Sequence, residues 1–162
     1  MANMCMNYVT FTGGEDDIKK LQRDINTAID HQKGQGLGIG SLVPEKYFFD
    51  LDLIETTDTT IELHYWTKWS PNLKDLADVC YEYGVTARVE YQEDACDLRG
   101  TAFCNADGSW NDFPMEQEFL DLILYDEEED MYSYAPTGDE DMCRDELIET
   151  WYPKWKEAQD GK

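Results

Sequence analysis

Hydrophobic and polar positions alternate with a period of two in "NYVTFTG", residues 7–13, where Val9 and Phe11 share one side. Such alternation is typical of a half-buried β-strand. After Gly13 and Gly14, the segment "EDDIKKLQRDINTAI" instead spaces its apolar residues three to four positions apart, as on one side of an amphipathic helix. The sequence therefore predicts a strand and then a helix whose buried side is formed by Ile18, Leu21, Ile25 and Ala28.

A second strand and helix are predicted in residues 60–84. "TIELHYWTKW" alternates again, and Ser70–Pro71 offers a capping residue followed by proline, which suits the first helical position. Gly84 suits the position just after a helix. The expected buried stripe of this helix is Leu73, Leu76, Ala77, Cys80 and Tyr83.

Residues 85–110 predict a β-hairpin, because Val85, Ala87, Val89 and Tyr91 alternate and "NADG", residues 105–108, is a turn sequence. Residues 42–49 offer a further short strand. Two amphipathic helices against one mainly antiparallel sheet make an α+β sandwich, in an order close to the split βαβ arrangement of ferredoxin-like folds. We therefore expect a ferredoxin-like antiparallel sheet with two helices packed on one face, built from residues 1–110.

The remaining residues, 111–162, predict an acidic C-terminal helical extension packed on or beside that domain. Residues 119–125 suit either a helix or a strand, and an acidic linker with Pro136 and Gly138 follows. "DEDMCRDELIETWYPKW" predicts a last helix that Pro153 ends or kinks. The glycine-rich stretch of residues 33–44 is GxGxG and follows a helix, so it predicts a flexible loop and not a nucleotide site.

Charge sets this chain apart from an average domain. It has 36 acidic and 13 basic residues, a formal net charge of −23 and a pI of about 4.1. Such a field repels nucleic acid and anionic membranes and steers the protein toward basic surfaces. Residues 111–162 hold 17 of the acids and 4 of the bases. This asymmetry favours a dedicated acidic face, while solubility or a salt-adapted host stays open as the alternative.

The cysteines and the lack of a long apolar run indicate where the protein is located in the cell. Five cysteines without a CxxC pair fit free thiols in a reducing compartment. The chain has no run of 18 apolar residues and no signal-peptide pattern at "MANMCMNYV", so we expect neither a membrane span nor export. The expected location is the cytoplasm of a bacterial host.

Three segments carry a resemblance to a known family: "MANMCMNYVTFTG", the helix start "WSP" at 69–71, and "YQEDACDLRGTA" at 91–102. Together they resemble the YubB-like ferredoxin-fold family of phages, plasmids and other mobile elements. The likeness covers about residues 1–110, with Asn3, Cys5, Asn7 and Gly13 matching and Met4 standing where the family usually has tryptophan. It implies a fold and a mobile-element origin. It implies no reaction and no catalytic residue.

The sequence gives little support for a catalytic site or a metal site. His31 fits a helix end, where positive charge is favourable, and His64 lies on a strand face. A nucleophile built around Cys96 or His64 stays open, but no motif supports it. Asp107 is a weak calcium candidate, for which a plain hairpin turn is the favoured alternative. We expect a non-catalytic protein without cofactor or metal.

The acidic tail predicts a partner with a basic surface. Duplex DNA carries one charge per about 1.7 Å of axis, and a dense row of carboxylates can occupy a site built for phosphates. The expected partner is a nucleic-acid-binding protein, such as a restriction or CRISPR defence complex. Direct nucleic-acid binding is rejected, because the nine bases of residues 1–110 form no stripe. An accessory mobile-element protein of unknown oligomeric state, acidic only for solubility, is the alternative.

The predicted partner-binding residues are Asp126, Glu127, Glu128, Glu129, Asp130, Tyr132, Tyr134, Asp139, Glu140, Asp141, Asp145 and Glu149.

Overall fold

The predicted order of strands and helices is present in the first 114 residues of the computed structural model. The structure describes residues 3–31, 38–45 and 47–161. The first six strands are Met4–Thr12 (β1), Phe49–Thr56 (β2), Thr60–Lys68 (β3), Thr86–Glu93 (β4), Leu98–Cys104 (β5) and Trp110–Pro114 (β6). Helix Glu15–His31 (α1) follows β1, and helix Leu73–Tyr83 (α2) follows β3.

These strands form one antiparallel sheet in the order β2-β3-β1-β4-β5-β6. The central strand is β1, in which Val9 pairs with Leu63 on one side and Val89 on the other. The first four strands and two helices give the order of a ferredoxin-like fold, which β5 and β6 extend as a hairpin. The predicted fold class is confirmed.

Both helices pack on one face of this sheet. The predicted stripe of α1 is buried, and so is the predicted stripe of α2. Their side chains form one cluster with the inward residues of the strands, including Val9, Phe11, Ile61, Leu63 and Val89. Because the two periodicities, 3.6 and 2, are visible in the sequence, the helix stripes and the inward residues of β1 and β4 were predicted correctly. The core residues Ile39, Phe48, Leu51, Val79 and Ala102 were not predicted.

Helix α2 begins later than Ser70–Pro71 predicts. Its first helical residue is Leu73 and its capping position is Asn72, whose carbonyl accepts the first helical hydrogen bond, from Leu76. The hydroxyl of Tyr65 donates a hydrogen bond of 2.7 Å to the Asn72 side chain, so strand β3 holds this position. The end of the helix is as predicted, with Gly84 in the left-handed region at φ 68°.

Strand β2 was predicted in the wrong place. The predicted short strand lies at residues 42–49, whereas β2 runs from Phe49 to Thr56. Asp50 has a positive φ of 49°, and the pairing with β3 shifts register twice. These irregularities interrupt the alternation that sequence analysis relies on. Of the predicted glycine-rich loop, residues 33–37 lie outside the described part of the chain.

The chain divides into two compact units, Met1–Pro114 (the first unit) and Met115–Lys162 (the second unit). The second unit begins with a short helix, Gln117–Leu120 (α3). Three antiparallel strands follow in the order β7-β8-β9, and then a long helix. Their bounds are Ile123–Asp126 (β7), Met131–Tyr134 (β8), Asp139–Asp141 (β9) and Arg144–Asp160 (α4).

Aromatic side chains form the core of the second unit. Phe119 is fully buried, with its ring centroid 5.1 Å from that of Tyr152 and 5.7 Å from that of Trp155. Tyr134 stacks on Trp151 at 4.8 Å. The aromatic residues of the tail therefore pack within their own unit, which gives these 48 residues a hydrophobic cluster of their own.

Two expectations about the tail are wrong. The acidic run is not a linker, because it forms the turn between β7 and β8. Of the two alternatives predicted for Pro153, that it ends the last helix is wrong, because Pro153 lies inside α4. Proline removes one helical hydrogen bond and costs about 3 kcal/mol in a helix interior. Tyr152 and Trp155, on either side of this proline, pack against the core of the second unit.

Candidate acidic binding surface

The acidic turn, Asp126–Asp130, connects two paired strands. Asp126 pairs with Met131 across the hairpin, and its side chain organises the turn between them. Asp126 Oδ1 accepts hydrogen bonds from the backbone N–H groups of Glu128, at 2.8 Å, and Glu129, at 3.3 Å. Aspartate commonly stabilises turns in this way. A carboxylate of the run itself therefore fixes the backbone that carries the other acids.

Asp130 closes the same turn. Its φ of 53° lies in the left-handed region, which aspartate adopts more readily than most residues. Its Oδ1 accepts a hydrogen bond of 2.7 Å from the hydroxyl of Tyr125. Tyr125 in turn lies against Tyr132, with ring centroids 4.8 Å apart. The hydrogen bond to Asp130 and its negative charge raise the pKa of Tyr125.

The acidic turn keeps its negative charge exposed among the described residues. All five of its acids are exposed. Within the part of the chain that the structure describes, no lysine, arginine or histidine forms an ion pair with them. Other acids of the chain do form ion pairs with basic residues, such as Glu116 with Lys156. The turn therefore presents a compact negative charge to solvent.

The other predicted acids lie on β9 and at the start of α4. Asp139 and Glu140 are exposed on β9, while Asp145 and Glu149 lie on α4. Asp141 was predicted on the last helix, one turn before Asp145. This prediction is wrong, because α4 begins at Arg144 and Asp141 ends β9.

Asp141 instead shapes the entry into α4. Its side chain accepts a hydrogen bond of 2.8 Å from the backbone of Cys143. It also lies close enough to Glu146 to raise the pKa of that carboxyl, with a smaller contribution from Glu149. Like charges thus crowd together at this helix start, where the helix dipole partly compensates them.

Tyr134 is not available to a partner. It was predicted to add apolar contact, but it is 5% exposed and forms part of the aromatic core. Tyr132 is only partly buried and packs against the same core. The sequence could not distinguish these two roles, because tyrosines two apart on a strand share one face and α4 decides how deeply each is covered.

The face of the β7-β8-β9 sheet opposite Tyr132 and Tyr134 carries exposed apolar residues that were not predicted from the sequence. Leu124 is 52% exposed and shares a cross-strand row with Ser133 and Glu140. Met142, just after β9, is 78% exposed. No alternation of apolar and acidic residues in "ILYD" or "DEDM" indicated this face. This face combines carboxylates with apolar contact area.

The histidines and cysteines are the side chains considered for catalysis. His31 ends α1, and its ring contacts the carbonyl of Thr27 at 2.6 Å. His64 Nδ1 lies 3.8 Å from the carboxylate of Asp52. The side chain of Cys96 lies outside the described residues. Cys80 is buried, and its hydrogen bond with Cys104 and its burial raise the pKa of its thiol, which opposes thiolate formation.

Asp107 forms a plain hairpin turn. Its carboxylate accepts hydrogen bonds from the backbone and the hydroxyl of Ser109, at 2.9 and 2.6 Å. Across residues 3–31, 38–45 and 47–161, no three His, Cys, Asp or Glu side chains are grouped so that they would hold a metal ion. No helix in these ranges is long and apolar enough to span a membrane.

The sheet order and the two helices on one face define the first unit as a ferredoxin-like α+β domain. The chain belongs to the family described as the ferredoxin-like domain in Api92-like protein, whose model matches residues 46–135. No curated protein and no solved structure matches the chain.

The extent of the family match differs from the expected one. The YubB-like resemblance was placed in residues 1–110, whereas the family model matches residues 46–135. Residues 1–45 therefore lie outside the match, which continues beyond residue 110. It therefore includes β7, β8 and the acidic turn between them. The match carries no residue role, so the site has to be interpreted from its own chemistry.

Proposed function

We propose that this chain is a non-catalytic binding protein whose acidic turn occupies a basic surface of another protein. One observation carries the proposal: five exposed acids lie on one ordered turn, and no described cation neutralises them. Exposed like charges on a single turn repel one another, which destabilises the free protein. A basic partner would turn that repulsion into favourable interaction and would accelerate association.

The partner surface we propose is one that binds nucleic acid. Such surfaces carry lysine and arginine at the spacing of phosphates, and they bind largely through charge. Glu127, Glu128 and Glu129 provide three successive carboxylates whose backbone is held by Asp126. In this account the turn competes with DNA for the same cations. Leu124 and Met142 supply nearby apolar contact, which is common at protein interfaces.

The origin of the protein and the kind of complex that it blocks are also proposals. The N-terminal segment and "WSP" at residues 69–71 resemble the YubB-like proteins of phages and plasmids. A mobile element gains from blocking a host defence complex that binds nucleic acid, of the restriction or CRISPR type. The location that goes with this proposal is the cytoplasm of a bacterial host.

A second candidate is an accessory mobile-element protein whose acidity only maintains solubility. The observation that favours it is that residues 1–110 are acidic as well, with 19 acids and 9 bases. The two candidates differ in what salt and DNA do to a bound partner. A partner that contacts the acidic turn is released by both, whereas one that binds elsewhere is not.

The testing experiment is affinity capture from infected and uninfected bacterial lysates, at low and at high salt, with mass spectrometry of the retained proteins. The proposal expects a nucleic-acid-handling protein that is retained at low salt, released at high salt and displaced by duplex DNA. It fails if no basic protein is retained, or if the retained protein responds neither to salt nor to DNA.

A further inference from the structure

A groove of about 480 Å³ lies in the first unit between the start of α2 and the β5–β6 hairpin. That volume is in the range of small-ligand sites, which hold a few polar groups among mainly apolar walls. Pro71, Leu73, Leu98 and Trp110 contribute apolar walls. Trp110 is 44% exposed, so its indole ring is accessible from solvent.

The carboxylate of Asp112 is fixed at this groove by a contact across three strands. The hydroxyl of Tyr91, on β4, donates a hydrogen bond of 2.7 Å to Asp112 Oδ1, on β6. Gly100, on β5 between them, makes this possible, because a Cβ there would lie 2.2 Å from the Tyr91 oxygen. The second oxygen of Asp112 forms no hydrogen bond with a described residue.

Carboxylates outnumber cations among the described residues that line the groove, where Glu45, Asp75 and Asp112 are acidic and Lys74 is basic. Lys74 is already paired with Glu45, at 3.4 Å, and with Asp78, at 3.0 Å. No described cation lies over the ring of Trp110. A carboxylate beside an open indole ring is suited to a positively charged ligand group.

The groove borders the edge strand β6, whose protection against further pairing is limited to one acid, Asp112, and a proline at its last position, Pro114. β6 ends the sheet, and all five of its residues are exposed. The opposite edge, β2, is interrupted by two register shifts and carries acids, which discourage further pairing. β6 is regular over its length. On its other face Phe113 is 59% exposed and contacts Phe103, with ring centroids 6.1 Å apart.

We propose that β6 binds an extended segment of a partner protein, which adds a strand to the sheet and places a lysine or arginine side chain in the groove. Residues directly opposite on paired strands share a face, so a basic residue opposite Asp112 enters the groove. The residues before and after it then face Phe113, which favours apolar side chains there. The site lies in the first unit, so it does not rest on the function proposed for the acidic turn.

Charge favours a basic partner segment over a second copy of this chain at β6. Two β6 strands paired about their centre would bring Asp112 against its own equivalent, and each chain carries a net charge of −23. Like charges directly opposite destabilise strand pairing. A basic segment has the complementary charge at the same position.

Two probes test the site by ¹H–¹⁵N NMR titration of the full chain. The first is n-butylguanidinium, with the neutral n-butylurea as its control. The second is a blocked peptide, Thr-Val-Arg-Val-Thr, with Thr-Val-Gln-Val-Thr as its control. The proposal expects both cationic probes to shift the indole N–H of Trp110. The cationic peptide should also shift the amides of Trp110 and Asp112 more than the other β6 amides, and both controls should have little effect.

Two variants make the test specific. Asp112→Asn preserves an acceptor for Tyr91 and should weaken peptide binding about threefold or more, the range of an exposed ion pair. Trp110→Ala should weaken it by a similar factor, since it removes the cation–π contact. Glu90→Gln removes one charge from the other face of the same sheet and should leave binding unchanged. Thermal unfolding confirms that each variant is folded.

Two results would overturn the proposal. One is shifts spread over acidic residues of both units and insensitive to Asp112→Asn, which indicates nonspecific attraction. The other is concentration-dependent shifts of β6 amides without any probe, together with a dimer in sedimentation, which assigns the edge to a second copy of the chain.

Discussion

The hydroxyl of Tyr125 and the carboxylate of Asp130 are joined by a hydrogen bond of 2.7 Å, which links the residue before the acidic turn to the last residue of the turn. Asp126 holds the middle of the turn through the amides of Glu128 and Glu129. The five acids therefore divide into two groups. Asp126 and Asp130 shape the turn, while the three glutamates between them are available to a partner.

Tyr125→Phe should loosen the turn and leave the rest of the chain folded. It removes the donor to Asp130 without changing the ring contact with Tyr132. Amide hydrogen exchange at Glu128 and Glu129 should become faster. Tyr8→Phe, which removes an exposed tyrosine–carboxylate bond in the first unit, is the matched control. Unchanged exchange in the turn would show that this hydrogen bond does not hold it.

Phe119→Ala should destabilise the second unit by about 3–5 kcal/mol, the usual cost of removing a fully buried aromatic ring. The ring contacts Tyr134, Tyr152 and Trp155, so its loss leaves a cavity at the centre of the cluster. Urea unfolding followed by tryptophan fluorescence measures the change. Leu124→Ala, at an exposed site of the same unit, should cost less than about 0.5 kcal/mol. Equal effects would contradict the assigned core.

Gly100→Ala should destabilise the first unit by about 1–3 kcal/mol, because the added methyl group overpacks a filled site. Its Cβ would approach the Tyr91 hydroxyl oxygen to 2.2 Å and the carbonyl oxygen of Phe113 to 2.9 Å. The hydrogen bond from Tyr91 to Asp112 should break as the ring moves. Denaturant titration and the shift of the Tyr91 ring resonances report both effects. Thr101→Ala, at the neighbouring position, should stay near wild type.

Mildly acidic pH should stabilise the second unit through protonation of Glu146. Asp141 raises the pKa of Glu146 above its ordinary value of 4.5, so the folded state binds this proton more tightly than the unfolded state. Stability therefore increases as the pH falls through the folded pKa of Glu146 toward 4.5. Asp141→Asn removes the largest cause of the shift.

The measurement is an NMR titration of the Glu146 carboxyl group in wild type and in Asp141→Asn. The variant should titrate at lower pH and should protect α4 amides better at neutral pH. The same titration midpoint in both proteins would show that the two carboxyls do not interact.

The first unit was predictable because its signals are local. The stripes of α1 and α2 repeat at helical spacing, and β1, β3 and β4 alternate, so their buried residues could be named from the sequence. The start of α2 was less predictable. The capping position is Asn72, whose side chain is held by Tyr65, a contact seven residues away that propensity does not describe.

The second unit was predictable only in part. Its C-terminal helix was expected, but its small sheet was not, because "YDEEED" has the composition of a linker. The segment is held as a turn by cross-strand pairs such as Tyr125 with Tyr132. The inward position of Tyr134 depends on its stacking with Trp151, on a helix that begins ten residues later. Long-range packing of this kind leaves no local pattern.

The most direct test of the central claim removes the three available glutamates and leaves the turn intact. Glu127→Gln, Glu128→Gln and Glu129→Gln are combined in one variant. The control variant combines Asp58→Asn, Glu82→Gln and Glu90→Gln, which removes the same charge from exposed positions of the first unit. Affinity for the captured partner is then measured, with and without competing duplex DNA.

The account predicts that the turn variant binds about tenfold more weakly, while the control variant keeps the wild-type affinity and remains displaceable by DNA. Wild-type affinity in the turn variant, or equal losses in both variants, would contradict a specific role of the acidic turn.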